Sequence, residues 1–265
     1  MPSYLRATSS AQAQELALAD PDARFLAGGQ SLLPAMRLGL AQPSQLIDLQ
    51  ELALRQIRVE GEHTVHIGAL CRHEEVATHR DVAGLLPGLS MLAAQIGDRQ
   101  VRHMGTLGGS IANADPAACY PAGLLGLGAT VHTKQRAIAA EDFFTGLYST
   151  ALEPGELIES VSFPVARQSA WQKFKQPASR FSLVGVFVSR AAAGVRVGVT
   201  GAGPTAFRAH AVETALTARW SPASARAVRM DPSMLMSDLH GSADYRASLI
   251  SELCARAVEA ASVGS

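Results

Sequence analysis

A chain of 265 residues, 48% apolar and 5% aromatic, has the composition of a globular protein long enough for two packed units. Lys and Arg together number 23, as do Asp and Glu, so the formal net charge is zero and no global field gathers a polyanion; nucleic acid is excluded as the expected partner. Cys71, Cys119 and Cys254 lie too far apart to suggest a disulfide framework, a zinc site or an iron–sulfur ligand set, and no run reaches the ~18 apolar residues of a membrane span. With no apolar signal-peptide core in MPSYLRATSSAQAQEL, the expected compartment is the cytoplasm.

Residues 24–28 read as a short buried strand, and Ser31 as the N-cap of a helix over LLPAMRLGL, with Pro34 in its first turn. QLIDL (45–49) reads as a second strand. LRQIRVEGEHTVHIGAL alternates apolar and polar residues on both sides of Gly61, Glu62 and His63, the pattern of a hairpin. HEEVATH (73–79) spaces its histidines too widely for the i, i+4 zinc motif and reads as a polar surface helix. Helical spacing in 86–97 and 121–129 brackets a glycine-bearing stretch, 98–116, expected to be a long loop, where function tends to sit. His103 lies in it and is expected to bond to backbone.

SFPVARQSA (162–170) loses periodicity around Pro164 and marks a domain boundary, giving domains 1–165 and 166–265. Three strand-like runs follow, WQKFKQ, FSLVGVFVSR and GVRVGVTGAG, then two helical ones, RAHAVETALTARW and YRASLISELCARAVEAAS. The expected fold class is α+β, its second part a three-stranded antiparallel sheet backed by helices.

Two glycine pairs carry the chemistry. AGGQSLL (27–33) and GTLGGSIANADP (105–116) each follow glycine with hydroxyl or amide side chains and then run into helix-like sequence. Glycine lacks Cβ, so its backbone can approach a phosphate closely and adopt positive φ; consecutive N–H groups at such turns form an anion-binding concavity. Neither pair matches G-x-G-x-x-G or the G-x-x-x-x-G-K-[ST] phosphate loop, so the residues alone point to a phosphate-bearing ligand without naming it.

AGGQSLLPAMRLGLAQPSQLIDL, IGDRQVRHMGTLGGSIANADPAA and AEDFFTGLYSTALEPGELIESV resemble the FAD-binding medium subunit of the molybdenum hydroxylases, the carbon monoxide and xanthine dehydrogenase group. DLHGSADYRASLISELCARAV resembles the end of that family's C-terminal domain. The resemblance implies a two-part PCMH-type FAD-binding α/β domain followed by the small C-terminal domain. It implicates Ala27, Gly28, Gly29, Gln30, Ser31 and Leu32 of the first loop in holding FAD, and Thr106, Gly108, Gly109, Ser110 and Ala112 of the second, with Ile96 and Asp115 nearby. Lys175 is the basic residue implied near the isoalloxazine, against the alternative of a solvent-facing strand lysine. Ile158 either packs on the ring or is plain core. Cys119 stands where relatives carry a carboxylate for the ribose; that role passes to Asp115 or water, or binding is weaker.

The function implied is that of an FAD-binding electron-transfer subunit with no obligatory catalytic side chain. Molybdenum cofactor and [2Fe–2S] clusters are expected on a large and a small partner, in a dimer of heterotrimers. The external acceptor is NAD, quinone or oxygen. A free-standing FAD-dependent oxidoreductase of the same fold, and an assembly module without FAD, are the alternatives.

Overall fold

The computed structural model describes residues 2–61 and 63–263. The chain first lays down a small parallel sheet in which Gln45–Asp48 lies between Ser3–Arg6 and Arg24–Leu26. Helix Ser10–Ala19 makes the connection from the first edge strand to the second, started by Ser9, whose side chain accepts from the Gln12 N–H. Its inner face and the strands bury Ala7, Ala13, Ile47 and Leu49 in a compact core of their own.

The hairpin expected around residue 61 is present. Ile57–Glu60 pairs antiparallel with Thr64–Gly68, Glu60 opposite Thr64, while Glu62 lies outside the described residues. These strands belong to a five-stranded antiparallel sheet completed by Ile158–Pro164, Thr130–Thr133 and Ala137–Ala139. Alternation places Val65, Ile67, Val131, Val161 and Phe163 in the principal core, facing helices that the chain forms between Thr64–Gly68 and Thr130–Thr133.

The long loop expected over 98–116 is a correction. It holds two short helices, Arg99–Met104 and Leu107–Asn113, meeting at Gly105. Each has its own cap: Asp98 accepts from the Val101 N–H at 2.8 Å, and Thr106 from the Gly109 N–H at 3.1 Å. Two capping residues in close succession rescue helices too short to show a full apolar period.

The C-terminal sheet contains the three expected strands, Gln168–Lys175, Ser182–Ala191 and Gly194–Thr200, with the two-residue strand Phe207–Arg208 added at its edge. Ser182–Ala191 is buried almost throughout because helices cover both faces. Cys119–Leu127 comes from the N-terminal part, and Ala243–Val263 brings Ile250, Leu253, Cys254, Ala257, Val258 and Ala261 at helical spacing. Every residue of Cys119–Leu127 is buried. Its close approach rests on glycines: a Cβ on Gly198 would run into the Ala122 carbonyl, and one on Gly126 would lie 2.6 Å from the Phe187 ring.

Candidate cofactor-binding cleft

The first glycine pair turns the chain from strand Arg24–Leu26 into helix Leu32–Arg37. Gly29 has φ +69°, a left-handed conformation costly for any other residue. Gly28 is bare for a different reason: a Cβ there would strike the carbonyl oxygen of Met104, so this loop rests directly on the start of the second. Among the described residues, the peptide N–H groups of Gly29, Gln30 and Ser31 find no acceptor. Ser31 occupies the N-cap position, but among the described residues its side chain makes no cap bond; the residue lines the cleft, which corrects its expected role.

The second pair lies in the first turn of Leu107–Asn113. Gly108 donates its N–H to the Ala69 carbonyl at 2.8 Å, and a Cβ on it would be 2.6 Å from that of Ala69, so its bareness serves packing against the sheet. A Cβ on Gly109 would stand 3.7 Å from the Ala27 Cβ. The two loops, about eighty positions apart in sequence, therefore meet.

Where they meet, the protein forms an open-mouthed cavity of about 460 Å³, within the range of small-molecule and cofactor sites. Ala27 through Leu32 line it on one side; Thr106, Gly108, Gly109, Ser110 and Ala112 line the other. Ile96, Asp115, Cys119 and Ile158 complete the expected set. Lys175 is the exception. The pairing of Gln168–Lys175 with its neighbour shifts register between Phe174 and Lys175, leaving Lys175 exposed at the strand end, and Lys173 lines the cleft instead. The Lys173 Nζ donates to the Gln95 carbonyl at 3.1 Å and to the Cys119 Sγ at 3.3 Å.

Other lining groups carry no recognisable sequence signal. Ser179, Arg180 and Phe181 hang from the turn after Gln168–Lys175 and reach the cleft; Arg180 has φ +63° and donates to the Gly97 carbonyl at 3.4 Å. His73 corrects the surface reading: it is 4% exposed, lines the cleft, and stacks obliquely on Tyr120 with ring centroids 5.4 Å apart. Burial, reinforced by the Arg102 charge, pushes its imidazole down to about 4, and its Nδ1 has no hydrogen-bond partner among the described residues. His103 is bonded to the Arg99 carbonyl at 2.8 Å, as expected of it, and stays outside the lining.

The two carboxylates on the wall are already engaged. Glu156 accepts from Arg136 at 2.8 and 3.0 Å and from the Thr133 hydroxyl at 2.8 Å, and the Arg136 bonds lead in holding its carboxyl down to about 2. Asp115 accepts from the Ala117 N–H at 2.8 Å and from the Tyr148 hydroxyl at 3.4 Å. Free N–H groups at a bare loop tip, the basic side chains of Arg24, Lys173 and Arg180 on the wall and a mostly apolar cavity fit a dinucleotide carrying two phosphates.

The family model described as the FAD binding domain in molybdopterin dehydrogenase matches residues 1–166, and that of the CO dehydrogenase flavoprotein C-terminal domain matches residues 169–261. This chain is a medium subunit of the molybdenum hydroxylase family. It is 34% identical to the carbon monoxide dehydrogenase medium chain of Hydrogenophaga pseudoflava, over 91% of this chain and 89% of that one. With the nicotine 6-hydroxylase medium subunit of Paenarthrobacter nicotinovorans the identity is 34%, over 96% and 95% of the two chains. Among solved structures, carbon monoxide dehydrogenase from Hydrogenophaga pseudoflava superposes with a TM-score of 0.89 at 34% identity, covering 99% of this chain and 97% of that one. Quinoline 2-oxidoreductase from Pseudomonas putida 86 gives 0.89 at 30% identity, covering 100% and 98%. The medium subunit thus carries an FAD-binding domain followed by the flavoprotein C-terminal domain.

Proposed function

We propose that this medium subunit carries electrons within a heteromeric molybdenum hydroxylase, with FAD seated in the cleft between the two glycine loops. The small partner, bearing [2Fe–2S] clusters, supplies electrons released at a molybdenum cofactor on the large partner, and the external acceptor is NAD, quinone or oxygen. The assembly is a dimer of heterotrimers in the cytoplasm. FAD, when bound, couples one-electron delivery to a two-electron acceptor. The observation that carries the reading is the contact of two glycine-bearing loops from distant parts of the chain, with the N–H groups of Gly29, Gln30 and Ser31 left without an acceptor among the described residues. That the similar nicotine 6-hydroxylase and 6-hydroxypseudooxynicotine dehydrogenase chains are named as subunits supports the partners.

In this reading the peptide N–H groups of the first loop bind phosphate, and the second loop supports them from Ala27's side. Lys173 places its amine on the wall where the notional ring partner was expected from Lys175, and Ile158 offers an apolar surface. The domain division is at 165/166. The test is mild purification from the native host. Flavin absorbance on this chain, with co-purified iron–sulfur and molybdenum polypeptides, is the expected result. A yellow, active, solitary chain would replace the reading by a free-standing flavoenzyme, and a colourless chain that resists reconstitution would remove the cofactor from it.

A further inference from the structure

The three cysteines are all free thiols, and all three are buried. Burial pushes the Cys71 thiol up to about 12 and that of Cys254 higher still, so neither is primed to react. Cys119 has different surroundings. It lines the cleft, receives a hydrogen bond from the Lys173 Nζ at 3.3 Å, and lies 3.7 Å from the Ser182 hydroxyl. Lys173 lines the same cavity. The thiol opens helix Cys119–Leu127, while the amine arrives on strand Gln168–Lys175 of the C-terminal sheet, so the pair bridges two elements far apart in sequence.

We propose that Cys119 and Lys173 form an oxidant-responsive modification site, in which peroxide joins thiol and amine through a sulfur–nitrogen bond across the cleft wall. In the first step the peroxide O–O bond breaks, sulfur is oxidised by two electrons to the sulfenic acid, and water leaves. In the second, the Lys173 nitrogen, having released its ammonium proton to solvent, attacks sulfur; the S–O bond breaks and hydroxide departs with a nitrogen proton as water. Thiol, ammonium and hydrogen peroxide thus give the sulfenamide, two waters and one proton. The long lysine stem closes the remaining separation by rotamer adjustment. The link removes one basic group from the cleft and ties helix to sheet. Bound FAD covers the pair and slows the reaction; this clause alone rests on the proposed function.

The full chain, with and without its flavin, is treated with hydrogen peroxide and followed by intact mass and peptide mapping. The expected result is a species lacking a pair of hydrogen atoms, with the peptides holding Cys119 and Lys173 joined, reversed by a thiol reductant, and formed more slowly with flavin present. Cys119→Ser and Lys173→Arg both lose the link, and Lys173→Arg accumulates oxygen adducts at Cys119. Oxygen adducts at Cys119 of the unmodified sequence without any link, or oxidation of Cys71 or Cys254 ahead of Cys119, overturns the proposal. Linking at equal rates with and without flavin upholds the thiol–amine chemistry and overturns the cofactor placement.

Discussion

Gly28 and Gly29 are adjacent, yet they are glycine for separate reasons, and substitutions separate them. Gly28→Ala pushes a methyl into the Met104 carbonyl and drives the loops apart, so flavin content measured by visible absorbance falls to near zero. Gly29→Val strains a left-handed backbone, at a cost of order 1–2 kcal/mol, and also loses flavin. Retention of full flavin by both variants would dismiss the loop assignment. His73 predicts a pH effect. Its imidazole falls from an ordinary 6.5 to about 4 in the folded chain, so the unfolded chain takes up its proton first. Stability from this group is therefore lost as pH falls from 6.5 towards 4, and levels off below. Measured by thermal melts, the stability of the native protein relative to His73→Phe should fall as pH drops across that window and hold steady on either side of it, and a pH-independent difference would contradict the burial argument. The glycine loops were legible in sequence because bare backbone is itself the signal. His73 and Lys173 were not: the first owes its role to Tyr120 and Gly105 closing over it, and the second to a register shift one residue beyond it in the strand.

At the scale of elements, the strands were readable where apolar and polar residues alternate in the sequence, as in Thr64–Gly68, whose Val65 and Ile67 are buried while Thr64 and His66 are only half-buried. The two helices of 99–113 were not, because six or seven residues hold less than two turns and their definition comes from capping. Thr106→Ala removes the acceptor for the Gly109 N–H and should cost about 1 kcal/mol in urea unfolding, with Thr106→Ser restoring most of it. The same variant loosens the first turn of Leu107–Asn113, so flavin should dissociate faster. Gly84 offers the opposite case. It sits inside helix Arg80–Leu85 with open space around its missing Cβ and no positive φ, so Gly84→Ala should stabilise by about 0.5–1 kcal/mol without changing flavin content. A destabilised Gly84→Ala would show that the helix ledger omits something.

The whole molecule turns on helix Cys119–Leu127, which packs on the five-stranded sheet's helices and on the C-terminal sheet at once. Its residues are apolar all round, the pattern of a fully enclosed helix, and that environment is set by both parts of the chain together. Because its first residue, Cys119, also lines the cleft, the helix joins cleft wall to sheet packing. At Gly198 the C-terminal sheet comes up against the helix backbone, its missing Cβ leaving room for the Ala122 carbonyl. Gly198→Ala must therefore displace backbone against backbone, where no flexible side chain can yield. The expected outcome is a lower melting temperature together with faster protease cutting in residues 165–167, between strands Ile158–Pro164 and Gln168–Lys175. Flavin should dissociate faster as well, since Lys173 reaches the cleft only while the sheet is docked. If proteolysis accelerates while flavin release does not, the C-terminal sheet contributes to the fold but not to holding the cofactor.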